Sequence, residues 1–401
     1  IGRGIGMTFL QILRREWGLL WKGRFPVAPI LFLLPLGFTL AFGIIYFQNS
    51  VERIPLIICD EEQSSISRTI IEAYSDSEKF SIIGEVYHSE DMEDAIESGN
   101  ATVALYIPAD LSKKIKNGDS VDLLILVDSA NNMFGNAAMT AANEINKTLA
   151  VGIASQMLEV GNQLPQAAMS MAYPVRMGVR IINNPTTGYS PFMLAGLTMN
   201  GLQIAIMLVL CPLVAREFHH HVYRKHVSSW KILLAKIVPV WGMSIVSFFL
   251  SLVFLYACFT IPVRGSFLDI GLIIAAFTLA VSCIMVLFAV CSPNEIMSIQ
   301  EPLLYIMPGL LYSGLSWPDL YMNQLAEVIA FIFPMRHGAD VIRDLLLAGY
   351  APALYSQCLQ LFGMGTLCLL LAWGVFILRR RYGLLNMMRH VLHRKKGEMT
   401  P

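Results

Sequence analysis

The stretch IGLIIAAFTLAVSCIMVLFAVC, Ile270 to Cys291, runs for 22 residues without a charge. A helix rises about 1.5 Å per residue and bilayer hydrocarbon is about 30 Å thick, so this stretch alone is long enough to cross a membrane. Working outward, Ile237–Ile261, Pro191–Ala215 and Pro26–Tyr46 on one side and Ala353–Leu378 on the other have the same character. A sixth run, Leu303–Leu315, is short. It reaches spanning length only by starting near Met297 and taking in Gln300 and Glu301. Of the 401 residues 55% are hydrophobic and 14% charged, with mean hydropathy +0.57. Soluble domains are roughly a quarter charged, so these figures exclude a water-soluble enzyme and a disordered chain alike.

Charge counts the spans. Lys and Arg total 29, as do Asp and Glu, so the formal net charge is zero. The basic residues nevertheless cluster in three places. Arg3, Arg14, Arg15, Lys22 and Arg24 precede the first run. Arg216, Arg224, Lys225, Lys231 and Lys236 follow the second, and the tail holds Arg379–Arg381, Arg389, Arg394, Lys395 and Lys396. Short Lys- and Arg-rich segments stay in the cytoplasm, and both ends lie inside only if the number of spans is even. Six spans fit and five do not. With that topology the zero total resolves into +12 inside against −12 outside. The first run exceeds the signal-peptide core of about 7–15 residues and no small-residue cleavage site follows, so it reads as an uncleaved anchor.

The expected fold class is an α-helical multi-pass membrane protein of six transmembrane helices with an inserted extracytoplasmic α/β domain. Its expected parts are a cytoplasmic interfacial helix (1–25), spans at 26–47, 191–215, 237–261, 270–292, 297–316 and 353–378, an external domain (48–190), a cytoplasmic loop (216–236), short external helices (317–350) and a basic cytoplasmic tail (379–401). The external segment holds 19 acidic and 9 basic residues, a local charge of −10. It alternates in pattern. Strands are expected at Arg53–Cys59, Phe80–Val86, Ala101–Ile107 and Val121–Val127, and helices at Ser64–Tyr74, Ser89–Ser98 and Ala109–Asn117. From Ala137 to about Met171 one long helix, or two, is expected, with Ile145, Leu149, Ile153, Met157 and Val160 on an apolar face; Val175–Ile182 reads as a returning strand.

The leading segment has helical spacing, with Phe9, Leu10, Leu13, Trp17, Leu20 and Trp21 on one face, which suits a helix lying in the headgroup layer. Arg379–Arg381 read as a stop-transfer anchor on anionic headgroups. Seven cysteines form no CxxC or zinc spacing, so neither a disulfide framework nor a metal site is expected. His219–His221 with His226 point in different directions on a helix and are read as no metal site.

The order of these parts resembles the ABC-2-type transporter permeases, closest to exporter permeases with a large external domain between the first two spans. The resemblance rests on PLIICDEEQSSISRTII (Pro55–Ile71), IESGNATVALYIPADLSKKIKNGD (Ile96–Asp119), LVDSANN (Leu126–Asn132), VRIINNPTTGYSPFMLAGL (Val179–Leu197) and SGLSWPDLYMNQLAEVIAFIFPMRHGADVIRDLLLAGY (Ser313–Tyr350). In the last, the family has a Ser-Gly…Pro turn and two short helices dipping back into the outer leaflet. Arg216-Glu217 and Ala235-Lys236 match the family's cytoplasmic loop, whereas its Gly-Thr turn is missing and the loop is about four residues shorter.

The chain has no GxxxxGK[ST] phosphate loop and no Gly-Lys dipeptide. No catalytic residue, cofactor or metal is therefore expected here, and ATP and Mg²⁺ belong to a separate ATPase subunit. The resemblance assigns ATPase coupling to Arg216, Glu217, Lys236, Trp230 in the short helix near Val227–Leu234, and Trp17 of the leading helix. Polar groups within spans are the candidates for a substrate pathway, namely Asn200 and Gln203 on the second span and Glu301, Tyr305 and Tyr312 on the fifth, with helix–helix packing the other reading. By the resemblance those two spans line the centre of a dimer. The reading that follows is the permease subunit of an ATP-driven exporter in a bacterial inner membrane, with both termini cytoplasmic, moving a hydrophobic or amphipathic substrate. Expected partners are the ATPase, a second permease copy or homologue, a periplasmic adaptor and membrane lipid, with no nucleic acid. The rivals are a transmission module that drives an external partner without transport, and a membrane-anchored ligand receptor.

Overall fold

The computed structural model describes residues 8–22, 27–47, 51–117, 119, 121–130, 132–160, 182–184, 188–220, 228–318 and 321–382. The chain divides into a helical unit (1–49 and 181–401) and a second unit, residues 50–180.

In the helical unit, the elements are α1 (Phe9–Lys22), α2 (Ile30–Ile45), α7 (Tyr189–His220), α8 (Ser229–Phe259), α9 (Phe267–Cys291), α10 (Met297–Leu311), α11 (Gln324–Ala330), α12 (Pro334–Leu347) and α13 (Leu354–Tyr382). The uncharged stretch forms α9, which packs on α13, α7, α8 and α12. Ser266 caps α9, accepting from Leu268 N–H at 3.2 Å, and Asp269 sits in the positive first turn. Its contact with α13 is tight: a Cβ on Gly365 would lie 3.2 Å from the Ala280 Cα, so a side chain there would push the two helices apart by a few tenths of an ångström.

Among the described residues four helices, α7, α8, α9 and α13, are long and apolar enough to cross a membrane. The other two expected spans differ. Helix α2 has 16 residues and α10 has 15, short of the roughly 20 a span needs. Both carry internal prolines, Pro35 in α2 and Pro302 and Pro308 in α10, and the chain turns through Gly314 (φ +83°) just beyond α10. Proline removes the amide that would bond four residues back. In α2 the carbonyl so released belongs to Leu31, and the buried Ser247 of α8 donates to it at 2.5 Å. Thr39, one turn on, meets Thr198 of α7 at 2.8 Å.

At the other boundary the helices overrun. The loop expected at 216–236 is narrower, because α7 continues to His220 and α8 begins at Ser229. No breaker stops α7 after Ala215, so it extends past its apolar run. The end of α12 is tied down by the α8–α9 turn, where Arg264 donates to Leu347 O at 2.7 Å.

The second unit contains β1 (Ile54–Asp60), α3 (Ser65–Ser75), β2 (Phe80–Val86), α4 (Ser89–Glu97), β3 (Val103–Ile107), α5 (Leu111–Asn117), β4 (Leu124–Val127) and α6 (Asn132–Val160). The sheet order is β2-β1-β3-β4; β1 is parallel to β2 and β3, and β4 is antiparallel to β3. Central β1 reads as an unbroken apolar run because both of its faces are covered. Ile54, Leu56 and Ile58 join α3 and α6 on one face, while Cys59 meets Met92 of α4 on the other. Burial, then the neighbouring carboxylates of Glu61, Asp60 and Asp91, push the Cys59 thiol pKa up. Helix α6 starts five residues before the expected Ala137. Of its expected face, Ile145 and Leu149 pack on this core, while the side chains of Met157 and Val160 and the strand expected at 175–182 lie outside the described residues, save Ile182, which is not in a strand.

Candidate functional site: a buried ionic cluster at the basic end of the bundle

Helix α1 packs against α8 with Ile12, Glu16 and Leu20, a stripe at i, i+4 and i+8 that is completely buried. A carboxylate in the middle of such a stripe needs a partner. Lys236 supplies it from α8. Its Nζ lies 3.2 Å from both Glu16 oxygens, donates to Leu213 O of α7 at 3.1 Å, and stands 3.8 Å from Glu217 Oε2. Lys236 is 3% exposed and Glu217 6%. Charges so far from water hold together only in good geometry, and removing one partner of such a pair costs about 3–5 kcal/mol. One ammonium thus fastens three helices, α1, α7 and α8.

The face of α1 differs in part from expectation. Ile12, Glu16 and Leu20 make the packed face, and Phe9 and Leu13 are half-buried, whereas Leu10, Trp17 and Trp21 are exposed beside it. The apolar set therefore serves two surfaces, one against protein and one left open.

A second polar group closes the same end. Arg379 of α13 is buried rather than spread on a headgroup surface, so the anchor reading does not hold for it. Its Nη1 donates to Val290 O and Ser292 O at 2.6 Å each, and its guanidinium lies 4.1 Å above the Phe218 ring. The terminal carbonyls of α9 thereby receive a cation at the negative end of the helix. Ser292 Oγ also meets the carboxylate of Glu301. Arg216 is exposed and pairs with Glu295 at 3.0 Å, a contact that water weakens.

Among the expected coupling residues, the structure joins Glu217 and Lys236 and adds Glu16, which is not among the residues expected from the sequence. Its four-residue spacing from Ile12 and Leu20 was the signal available. Both buried members are positioned to act through the helices they tie, not by surface contact. Trp17 is half exposed, and Trp230 is half-buried, edge-on to Trp373 at 5.8 Å.

The expected pathway residues fall into separate pairs. Gln203, buried on α7, donates to Asn200 Oδ1 at 2.7 Å. Tyr305 donates to Ile332 O at 2.6 Å and packs on Phe333, against which Tyr312 stacks at 5.6 Å. These tyrosines tie α10 to the turn before α12. Glu301 belongs with Ser292 at the basic end. Among the described residues no group of His, Cys, Asp and Glu could hold a metal ion. His221 and His226 lie outside them, as do the side chains of His219 and His220.

A family model described as ABC-2 family transporter protein matches residues 27–373. The chain is 23% identical to the protein named "Probable multidrug ABC transporter permease YbhR" of Escherichia coli K12, over 73% of this chain and 77% of that protein. It is 22% identical to "Inner membrane transport permease YhhJ" of the same strain, over 79% of this chain and 83% of that one. A shorter likeness, 22% over 47% of this chain and 52% of the other, links it to "Probable multidrug ABC transporter permease YbhS".

Proposed function

We propose, since this chain belongs to the ABC-2 family of transporter proteins, that it is the membrane-spanning subunit of an exporter driven by a separate ATPase. Family membership implies an ABC system with an ATPase partner, and the apolar helices make the chain a multi-pass membrane protein. The finer reading has α2 and α10 joining the four long helices as spans, the basic end facing the cytoplasm and residues 50–180 outside. Two copies, or one copy and a homologue, form the pathway, and a periplasmic adaptor receives what is exported. A hydrophobic or amphipathic substrate fits the few polar groups along the spans and the multidrug naming of two relatives.

The observation that carries this reading is the buried Glu16–Lys236–Glu217 cluster. It links the interfacial helix to the ends of α7 and α8, so a push on any one of the three is passed to the others. Coupling needs such a mechanical joint, because the energy is released on another chain. Trp17, Arg216 and Trp230, carried by the same three helices, are the candidate contacts for the ATPase.

Replacing Glu217 by Ala in the reconstituted permease–ATPase complex is expected to leave assembly intact and to abolish substrate-stimulated ATP hydrolysis. Unchanged stimulation would sink the coupling assignment. A transmission module would show ATPase coupling with no substrate crossing in vesicles, and a receptor would co-purify with no ATPase.

A further inference from the structure

The second unit has a cavity of about 520 Å³ between α5, the segment leading into β4, and the later part of α6. That volume lies in the range of small-molecule sites, about 300–1,000 Å³. It exists because α6 changes its support along its length. Ala138, Ala141 and Ala142 are small and buried, and let the helix settle on the sheet. Farther along, Leu149 and Ile153 carry the contact and border a second cavity of about 380 Å³ on the helix's other side.

The lining is apolar at the floor and polar at the lip. Tyr74 donates to Asn146 Oδ1 at 3.0 Å, which fixes that amide. Asn143 donates from Nδ2 to Met139 O at 2.9 Å, which leaves its Oδ1 as an acceptor. Asp119 and Asp122 stand on the lip, and nearby Lys114 is already paired with Asp110 at 2.7 Å. Lys147 also borders the cavity from an exposed position, so the lip carries two carboxylates against one ammonium.

We propose that this cavity binds an amphipathic organic ammonium. The cationic head meets Asp119, Asp122 and Asn143 Oδ1, and the apolar body lies on Leu123, Leu149 and Ile153. The site needs no ATPase and no transport, so its failure and the failure of the exporter reading are separate results.

The test uses the full chain in lipid nanodiscs, titrated with dansylcadaverine, an apolar fluorophore bearing a primary ammonium, and with its neutral N-acetyl derivative. Dansylcadaverine is expected to bind saturably, and about five-fold more tightly than the acetylated probe, the margin that one or two exposed ion pairs supply. The Asp119→Asn/Asp122→Asn variant is expected to erase that difference, and Ala150→Phe, which fills the cavity from an exposed position, to remove the saturable signal. Equal affinity for the two probes overturns the proposal, as does an unchanged titration in both variants. The Asp positions are exposed, so the double variant remains informative even if Ala150→Phe does not fold.

Discussion

At the residue scale the decisive feature is a cation held by two acids and a carbonyl out of reach of water. Lys236→Met is expected to destabilise the helical unit by about 3–5 kcal/mol, since it takes the ammonium away from a carboxylate buried in an apolar stripe. The double variant Lys236→Met/Glu16→Leu should recover part of that loss, because it removes one of the two buried carboxylates that the ammonium balances, Glu217 being the other. Thermal unfolding of the detergent-purified single and double variants measures both, and equal loss in the two would refute the pairing. A different residue reports on the second unit. Tyr74 is wholly buried, and burial raises its pKa from 10.0 to about 12, with the Asn146 bond opposing. The folded state therefore holds this proton more tightly than the unfolded state. The contribution is complete below pH 10 and disappears as pH rises through about 12. Tyrosinate absorbance at high pH should lose one late-titrating component in Tyr74→Phe.

Elements show where sequence pattern was enough and where it failed. The long helices α7, α8, α9 and α13 were legible because an apolar run has only one cheap solution in a bilayer, with every backbone group bonded within the helix. The strands of the second unit were legible from short apolar runs such as Ile54–Cys59 ending at turn residues. Boundaries were not, because hydropathy marks the lipid and not the helix: α7 and α8 both outrun their apolar runs. Nor was the role of Arg379. Three adjacent arginines look alike in sequence, and only the approach of α13 to the end of α9 buries the first of them. Arg379→Gln is expected to cost about 1.5–3 kcal/mol by depriving the Val290 and Ser292 carbonyls of a charged donor. Arg380→Gln, at a half-buried position 3.5 Å from the Ser229 hydroxyl, should cost less than Arg379→Gln. Thermal unfolding of the two variants side by side distinguishes a cap from a headgroup anchor, for which the two changes would be alike.

For the whole molecule, the formal charge of zero and the placement of its parts are one question. A neutral chain of this hydropathy could in principle sit either way up, and the long acidic segment has little influence on that, since orientation follows Lys and Arg in short loops. Under the proposed topology the basic end orients the chain: Arg14, Arg15, Arg216, Lys231 and Arg380 all flank apolar helices there. The buried Lys236 and Arg379 contribute too, but as structural charges already spent on Glu16 and on the end of α9. The orienting excess is thus smaller than the sequence total implies, though it keeps its sign. Cysteines placed at the exposed Glu93 and at the exposed Arg216 test this with a membrane-impermeant thiol reagent on intact cells. Glu93→Cys should label at once above the background of the native thiols. Arg216→Cys should label only after permeabilisation. The opposite pattern would invert the topology and put the ionic cluster on the side where no ATPase could reach it, and equal labelling of both would mean that the basic end does not set orientation.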